Sequence, residues 1–287
     1  MSKVLVTGAH GQLGLELRAT APADVEFHGV DLAELDITQA EAVLRFVEQL
    51  KPAVIINCAA YTAVDKAEAD SSLAYAVNRD GAQHLAAAAK RAGARLVQVS
   101  TDFVFDGRQS TPYRVNDRAA PLGVYGQSKL EGEQAAATAT AGDALIVRTA
   151  WLYSPHGQNF VKTMLRLMRE KPQLNVVADQ IGTPTSATTL AQSIWALLAC
   201  EAPGGIYHCT DSGAASWYDF ACAIRELALA AGEPKLAPVL PIPTSAYPTP
   251  AQRPAYSVLD KSATAALIGT APHWREPLKS VIARLLA

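Results

Sequence analysis

The sequence predicts an α/β protein, a Rossmann-type doubly wound parallel sheet with a smaller C-terminal lobe. Three observations point there. Short apolar runs alternate with longer amphipathic ones through the first half of the chain, the order expected of β-α-β units. A glycine-rich turn follows the first apolar run directly. In the second half the alternation loosens and prolines gather between positions 238 and 250.

Taken in order, strands are expected at Val4–Val6, Val25–Val30, Val54–Cys58, Leu96–Ser100 and Ala144–Val147. Each is a short, nearly continuous apolar run of the kind a parallel sheet buries on both faces. Helices are expected between them at Gln12–Ala19, Gln39–Leu50, Gly81–Ala92 and Tyr125–Ala137. Thr38 and Glu41 have the spacing of a capping box at the start of the second of these. Later helices are expected at Phe160–Arg169, Thr189–Cys200, Tyr218–Ala230 and Leu278–Leu286. Proline fixes φ and has no amide to donate. The segments 238–243 and 247–250 therefore cannot be a central strand or a helix interior, and an ordered surface loop is expected. Residues 1–150 are expected to form a dinucleotide-binding domain, with later segments returning to it, and 151–287 mainly a substrate-binding lobe.

The 287 residues carry 25 Lys and Arg against 27 Asp and Glu, a formal charge of −2, and 49% are hydrophobic. That length buries a sizeable core. The balanced charge lacks the basic excess of a nucleic-acid binder, and no apolar stretch approaches the ~18 to 20 residues of a membrane span. Met1-Ser2-Lys3 runs straight into an apolar strand without the longer apolar block of a secretory signal, so a cytoplasmic location is expected. The four cysteines form no Cys-x-x-Cys pair and the histidines do not cluster beside them. Reduced thiols and no metal site are the reading, with Cys58 a small core residue.

The glycine turn is Gly8-Ala9-His10-Gly11-Gln12-Leu13-Gly14, between a strand and a helix. Glycine lets backbone approach a pyrophosphate and leaves the helix amides to bind it. The spacing Gly-x-x-Gly-x-x-Gly departs from the commonest dinucleotide fingerprint, and position carries the assignment. Asp31 ends the second strand close to the ~20-residue spacing at which an acid accepts from the adenosine ribose. Asp36 could share that role. A ribose-binding acid favours NADH over NADPH.

Tyr125 and Lys129 stand at i and i+4 on one helix face. An ammonium beside a phenol is expected to lower the phenol's pKa from ~10. Thr101 lies at the carboxyl end of the fourth strand, outside which ligands bind in an open parallel sheet, where its hydroxyl could donate to a carbonyl oxygen.

Together these residues resemble the extended short-chain dehydrogenase/reductases, and within them the chain is similar to the dTDP-4-dehydrorhamnose reductases. The narrower likeness lies in Asn57-Cys58-Ala59-Ala60-Tyr61-Thr62, Ser100-Thr101-Asp102-Phe103-Val104-Phe105, Arg148-Thr149-Ala150-Trp151, the segments 159–165 and 179–185, and Pro248-Thr249-Pro250-Ala251-Gln252-Arg253-Pro254. The resemblance implies NADPH- or NADH-dependent reduction of the 4-keto group of dTDP-4-dehydro-L-rhamnose to dTDP-L-rhamnose. It implies that Gly11, Gln12 and Leu13 line the pyrophosphate, Asp31, Asp36 and Ile37 the adenosine end, and Ala60, Tyr61 and Thr62 the middle of the cofactor. Val99 would pack under the nicotinamide. Thr101 and Asp102 would hold the sugar, with Trp151 closing over it. Tyr125 would be the proton donor, Thr101 would support the reacting oxygen, and Lys129 would grip the nicotinamide ribose.

Related sugar dehydratases carry an Asp-Glu pair after the corresponding Thr, whereas here Asp102 is followed by Phe103. A plain reductase fits better. A reductase or epimerase of another nucleotide sugar, and a non-catalytic nucleotide-binding regulatory subunit, are the alternatives. Some members of the reductase family are dimers bridged by a divalent cation between carboxylates. Glu16 matches one of those positions, but Thr188 and 283–286 supply no acid, so Glu16 is read as a surface helix residue and the chain as a monomer or homodimer. Trp195, Trp217 and Trp274 are read as packing residues, and His10, His156 and His208 as lacking a carboxylate partner. Arg253 is a candidate for the substrate diphosphate, since a guanidinium matches phosphate geometry.

Overall fold

The computed structural model describes residues 2–287. Its first half contains β1 (Ser2–Thr7), α1 (Gln12–Ala19), β2 (Val25–Val30), α2 (Ala40–Leu50), β3 (Val54–Asn57), α3 (Val64–Ala67) and α4 (Ser71–Tyr75). A π-helical turn (Ala76–Asp80) then leads into α5 (Gly81–Ala92), followed by β4 (Arg95–Thr101), α6 (Val124–Ala139) and β5 (Leu145–Thr149). The second half adds β6 (Leu152–Tyr153), α7 (Phe160–Glu170), β7 (Leu174–Val177), β8 (Ile181–Gly182), β9 (Thr185–Ser186) and α8 (Ala187–Ala199). It ends with β10 (Gly205–His208), β11 (Ala215–Ser216), α9 (Trp217–Ala230), β12 (Val239–Ile242), α10 (Ser262–Ile268) and α11 (Arg275–Leu286).

The main sheet has six strands in the order β10-β5-β4-β3-β1-β2, all parallel. Successive strand residues face opposite ways, and the apolar runs fill both faces. Val4, Val6, Ile56, Val97 and Val147 pack with Leu13 and Leu17 of α1 and Leu190, Ile194 and Trp195 of α8. Leu5, Ile55, Leu96 and Ile146 pack on the other side with Val43 and Val47 of α2 and Leu85 and Ala89 of α5. Strand β10 and helix α8, both from the second half, complete the sheet and one of its faces. Helix α10 packs on these two through Ile268, while α7, α9, α11 and the short strands around them enclose a separate core of Tyr153, Leu165, Met168, Phe220, Ile224, Trp274, Leu278 and Val281. Strand order reverses between β1 and β3, which opens a crevice at their carboxyl ends.

Several local expectations are corrected. The Thr38–Glu41 capping box does not form. Thr38 instead gives its hydroxyl and amide to Asp36 Oδ1 at 2.7 and 2.9 Å, a local turn that outcompetes the helix end, and α2 starts at Ala40 without a side-chain cap. A capping box does form at α9, between Ser216 and Asp219. The first proline cluster is not a loop throughout, because β12 pairs with β7 in a two-stranded parallel ribbon. Pro241 is tolerated there because β12 has only one neighbouring strand. Glu16 is not a surface residue: it is 2% exposed, since α8 lies across α1. Its carboxylate accepts from Thr188 Oγ1 at 2.9 Å and Arg284 Nη1 at 3.2 Å, and His156 Nε2 lies 3.1 Å away. His156 thus has the carboxylate partner the sequence did not reveal. His10 also has one, with Nδ1 3.8 Å from Asp31. Among the described residues no helix is long and apolar enough to cross a membrane, and no group of three or more His, Cys, Asp and Glu is arranged to hold a metal ion.

Candidate active site

A cavity of about 1030 Å³ runs along the carboxyl ends of β1, β3, β4 and β5 and is closed on its far side by Trp151, Gly157, Gln158, Trp217 and Arg253. The glycine loop forms one end. Gly8 has φ +65°, and a Cβ there would lie 2.8 Å from the Ala59 nitrogen, so a side chain would be strained and would push β1 from β3. Gly14 is absent from the cavity wall. A Cβ there would meet Ala9 Cα at 2.5 Å, so this glycine serves the approach of α1 to the loop. Gly11 caps α1 without any side-chain hydrogen bond, and the first turn holds no acid. The first-turn amides of such a helix have no partner within it and can bind an anion. Gln12 and Leu13 line the same wall, while the Gln12 Oε1 accepts from Ser154 Oγ at 2.9 Å and Asn159 Nδ2 at 2.8 Å. The Gln12 side chain therefore ties the loop after β6 to the glycine loop.

Beside the glycine loop, at the adenosine end, Asp31 accepts from the His10 and Leu32 amides at 3.1 and 2.9 Å. Bonds from the Thr38 side chain and amide hold the Asp36 carboxyl below its usual range. Ile37, Leu32 and Leu73 line this end, and the two leucines are exposed large apolar side chains. Ala60, Tyr61 and Thr62 line the middle. Their backbone is set by Asn78, which accepts from the Tyr61 amide at 2.9 Å and donates to its carbonyl at 3.1 Å.

Helix α6 brings Tyr125 and Lys129 into the cavity wall beside Val99, Thr101 and Asp102 of the β4 end. The expected lowering of the Tyr125 phenol by Lys129 is not what the surroundings produce. Burial pushes it up to about 12, Asp102 adds to this, and only Thr101 opposes. Lys129 is turned to the strand, where Nζ donates to the Val99 carbonyl at 2.6 Å. Burial lowers its ammonium to about 8, against Glu133 and Cys58. Thr101 Oγ1 donates to Asp102 Oδ1 at 3.1 Å and accepts from the Phe103 amide at 3.2 Å. The other Asp102 oxygen is buried without a partner, and burial pushes this carboxyl up to about 6, opposed by the neighbouring Ser257 and Thr101 hydroxyls. Cys58 also lines the cavity, and burial pushes its thiol up to about 12, so it is no nucleophile.

Trp151 has φ +46°, a rare conformation for a bulky residue. Its ring stacks on Trp217 with centroids 3.5 Å apart and planes 7° apart. Trp217, read from sequence as a packing residue, is thus also a cavity wall. Trp195 and Trp274 are core residues, 7% and 4% exposed. Arg253 lines the cavity, but its guanidinium is already engaged, with Nη1 and Nη2 on Asp65 at 3.1 and 2.8 Å and Nη1 on Thr249 Oγ1 at 2.6 Å. Sequence reasoning missed Trp217, Asn78 and Glu133. Only Glu133 left a local signal, at i+4 from Lys129.

Residues 2–287 match the family described as RmlD substrate binding domain. The dTDP-4-dehydrorhamnose reductase of Burkholderia thailandensis is 44% identical over 299 residues, spanning 99% of each chain. A crystal structure of a dTDP-4-dehydrorhamnose reductase from Clostridium acetobutylicum superposes with a TM-score of 0.94 at 43% identity, covering 99% of this chain and all of that one. One from Bacillus anthracis in complex with NADP gives 0.93 at 38% identity, with 99% of each covered. On this full-length agreement, the chain belongs to the RmlD substrate binding domain family.

Proposed function

We propose that this chain catalyses the NAD(P)H-dependent reduction of the 4-keto group of dTDP-4-dehydro-L-rhamnose, giving dTDP-L-rhamnose. The observation that carries the reading is the meeting of Thr101, Tyr125 and Lys129 with the glycine loop on one cavity, in a chain whose full-length relatives are named for that reduction. The uncapped start of α1 and the close approach at Gly8 fit a dinucleotide. Gly11, Gln12 and Leu13 would hold its pyrophosphate, Asp31 the adenosine ribose, Asp36 and Ile37 the adenine end, and Ala60, Tyr61, Thr62 and Val99 the rest. Reduced nicotinamide, when bound, supplies a hydride to the sugar C4.

The protein's own residues do the remainder. Tyr125, kept protonated at neutral pH by burial, gives its proton to O4 as the carbonyl becomes a hydroxyl. The Thr101 hydroxyl supports the same oxygen. Lys129 holds the nicotinamide ribose, and Asp102 and Trp151 hold the sugar. Arg253 would meet the substrate diphosphate, the anion sharing the guanidinium with Asp65. The sugar lobe is formed mainly from 151–287 and the cofactor lobe from 1–150 with α8 and β10. The near-balanced charge supports a small-molecule partner and no nucleic acid. We place the enzyme in the cytoplasm, as a monomer or homodimer.

The test is loss of reduced-nicotinamide absorbance with dTDP-4-dehydro-L-rhamnose, with the product identified by mass and NMR. Steady oxidation yielding dTDP-L-rhamnose is expected, and a folded protein that oxidises neither NADH nor NADPH would overturn the reading.

Cofactor choice gives a second expectation. Among the described residues, Asp31 and Asp36 line the adenosine end and no Lys or Arg does. The extra phosphate of NADPH would then stand beside acid without a cation. Both cofactors are expected to serve, with KM for NADH lower by roughly tenfold. Asp31→Asn should narrow the gap, and equal KM values in the parent chain would refute the argument.

A further inference from the structure

Glu133 lies one turn beyond Lys129 on α6, so Tyr125, Lys129 and Glu133 form a row at i, i+4 and i+8. All three meet the end of β4. The Glu133 carboxylate accepts from Ser100 Oγ and takes both Nε and Nη2 of Arg148, at 2.9 and 2.7 Å. Both partners of that ion pair are nearly closed to water, with side chains 3% and 5% exposed. Val99, Ser100 and Thr101 are thus consecutive strand residues of which the first two bond Lys129 and Glu133, while the third faces Tyr125. Lys129 itself is 4% exposed, and its recorded hydrogen bond is to a neutral carbonyl.

We propose that Glu133 is a positioning residue of the reaction, a buried counter-charge that keeps the Lys129 ammonium protonated and α6 in register with β4. Arg148 and Ser100 hold the carboxylate in place. The proposal rests on the reductase reading for its kinetic consequence and on the fold alone for its electrostatic one. A buried ammonium loses its proton readily, and a neutral amine grips ribose hydroxyls less well. Burial already brings Lys129 down to about 8, with Glu133 the larger of two opposing influences.

The other groups facing Lys129 leave that task to Glu133. Cys58, from the end of β3, is a thiol held up at about 12. Tyr125, from the same helix, is a phenol held up likewise. Asp102, beyond β4, bears on Tyr125. Arg148, from β5, is bound to Glu133. Arg79, from the turn before α5, pairs with Asp80 and with Glu131.

The experiment titrates the lysine directly, by NMR of protein labelled with carbon-13 at lysine Cε, the Lys129 signal being assigned from its loss in Lys129→Met. In Glu133→Gln the Lys129 signal is expected to titrate at a pH lower by roughly 1, and in Glu133→Asp, which keeps the charge, close to the parent. Glu133→Gln/Arg148→Met removes the whole pair, so that no unpaired guanidinium is left buried, and covers the case in which Glu133→Gln alone does not fold. Lys129 should titrate lower in this variant too. The pH profile of kcat/KM is the second readout. Activity that needs the ammonium falls as pH rises through the lysine pKa, so the alkaline limb should begin at lower pH in both charge-removing variants and recover in Glu133→Asp. An unchanged Lys129 titration in the double variant overturns the proposal whether or not the protein turns over. Failure of turnover in the parent chain with normal lysine shifts in the variants overturns the substrate reading alone.

Discussion

Tyr125→Phe is expected to lower kcat by roughly 10²- to 10⁴-fold, the range for removing a positioned proton donor, while leaving KM for NADH nearly unchanged. The substitution deletes one hydroxyl and keeps the ring, which packs edge-on to Phe103 at 5.6 Å, so the fold should persist. What is lost is the proton for O4. Desolvation pushes the phenol up to about 12, which keeps that proton on the tyrosine at neutral pH until the reaction takes it. Single-turnover kinetics at neutral pH would measure it, and a variant with the parent rate would remove Tyr125 from the mechanism. Raised acidity would have suited a base. A reduction needs a donor, and the burial of Tyr125 supplies the protonated form.

The second large effect is expected in stability. Arg148→Met should cost about 3 to 5 kcal/mol of folding free energy, because it leaves the Glu133 carboxylate buried without its cation. Packing is a smaller part of the loss, since the Arg148 guanidinium also lies over the Phe105 ring at 5.2 Å. Glu133→Gln/Arg148→Met should recover much of the difference, as replacing a whole buried pair is often close to neutral. Urea unfolding of the three proteins checks this. If Arg148→Met alone unfolded at the parent midpoint with the parent slope, the pair would not be holding α6 to the sheet.

The periodic parts of the chain were legible beforehand. Helices α1 and α5 begin and end where the apolar spacing placed them, and α6 differs by one residue at its start and two at its end. The glycine loop, Asp31, Thr101, Tyr125 and Lys129 were legible because their chemistry constrains spacing within one element or at a strand end. What escaped depends on contacts between distant segments. Glu16 looked like a surface residue because nothing in α1 announces that α8 and α11 will cover it. Trp217 looked like packing because its partner, Trp151, lies in another segment of the chain. The Thr38 cap failed for a local reason, since Asp36 offered its hydroxyl a closer acceptor. The Tyr125 phenol shifts opposite to the expectation from the helix row because its desolvation and the Val99 carbonyl that takes Lys129 leave no mark in the sequence.

The passages of the chain between the sheet and the second lobe also have a mechanical meaning. The chain crosses at Trp151, at Ser186, near Asp211 and on either side of α10, and the first three crossings are fastened to one another. The Thr185 amide donates to the Trp151 carbonyl at 3.2 Å, and the Ser186 amide donates to Asp211 Oδ2 at 2.9 Å. Parallel cords tied together side by side resist sliding and allow twisting about their common line. Movement of one lobe against the other is therefore steered into rotation about that seam, as a door on several pins, and the bonds of Gln12 to Ser154 and Asn159 and the Arg253–Asp65 pair are the latches that such an opening must release.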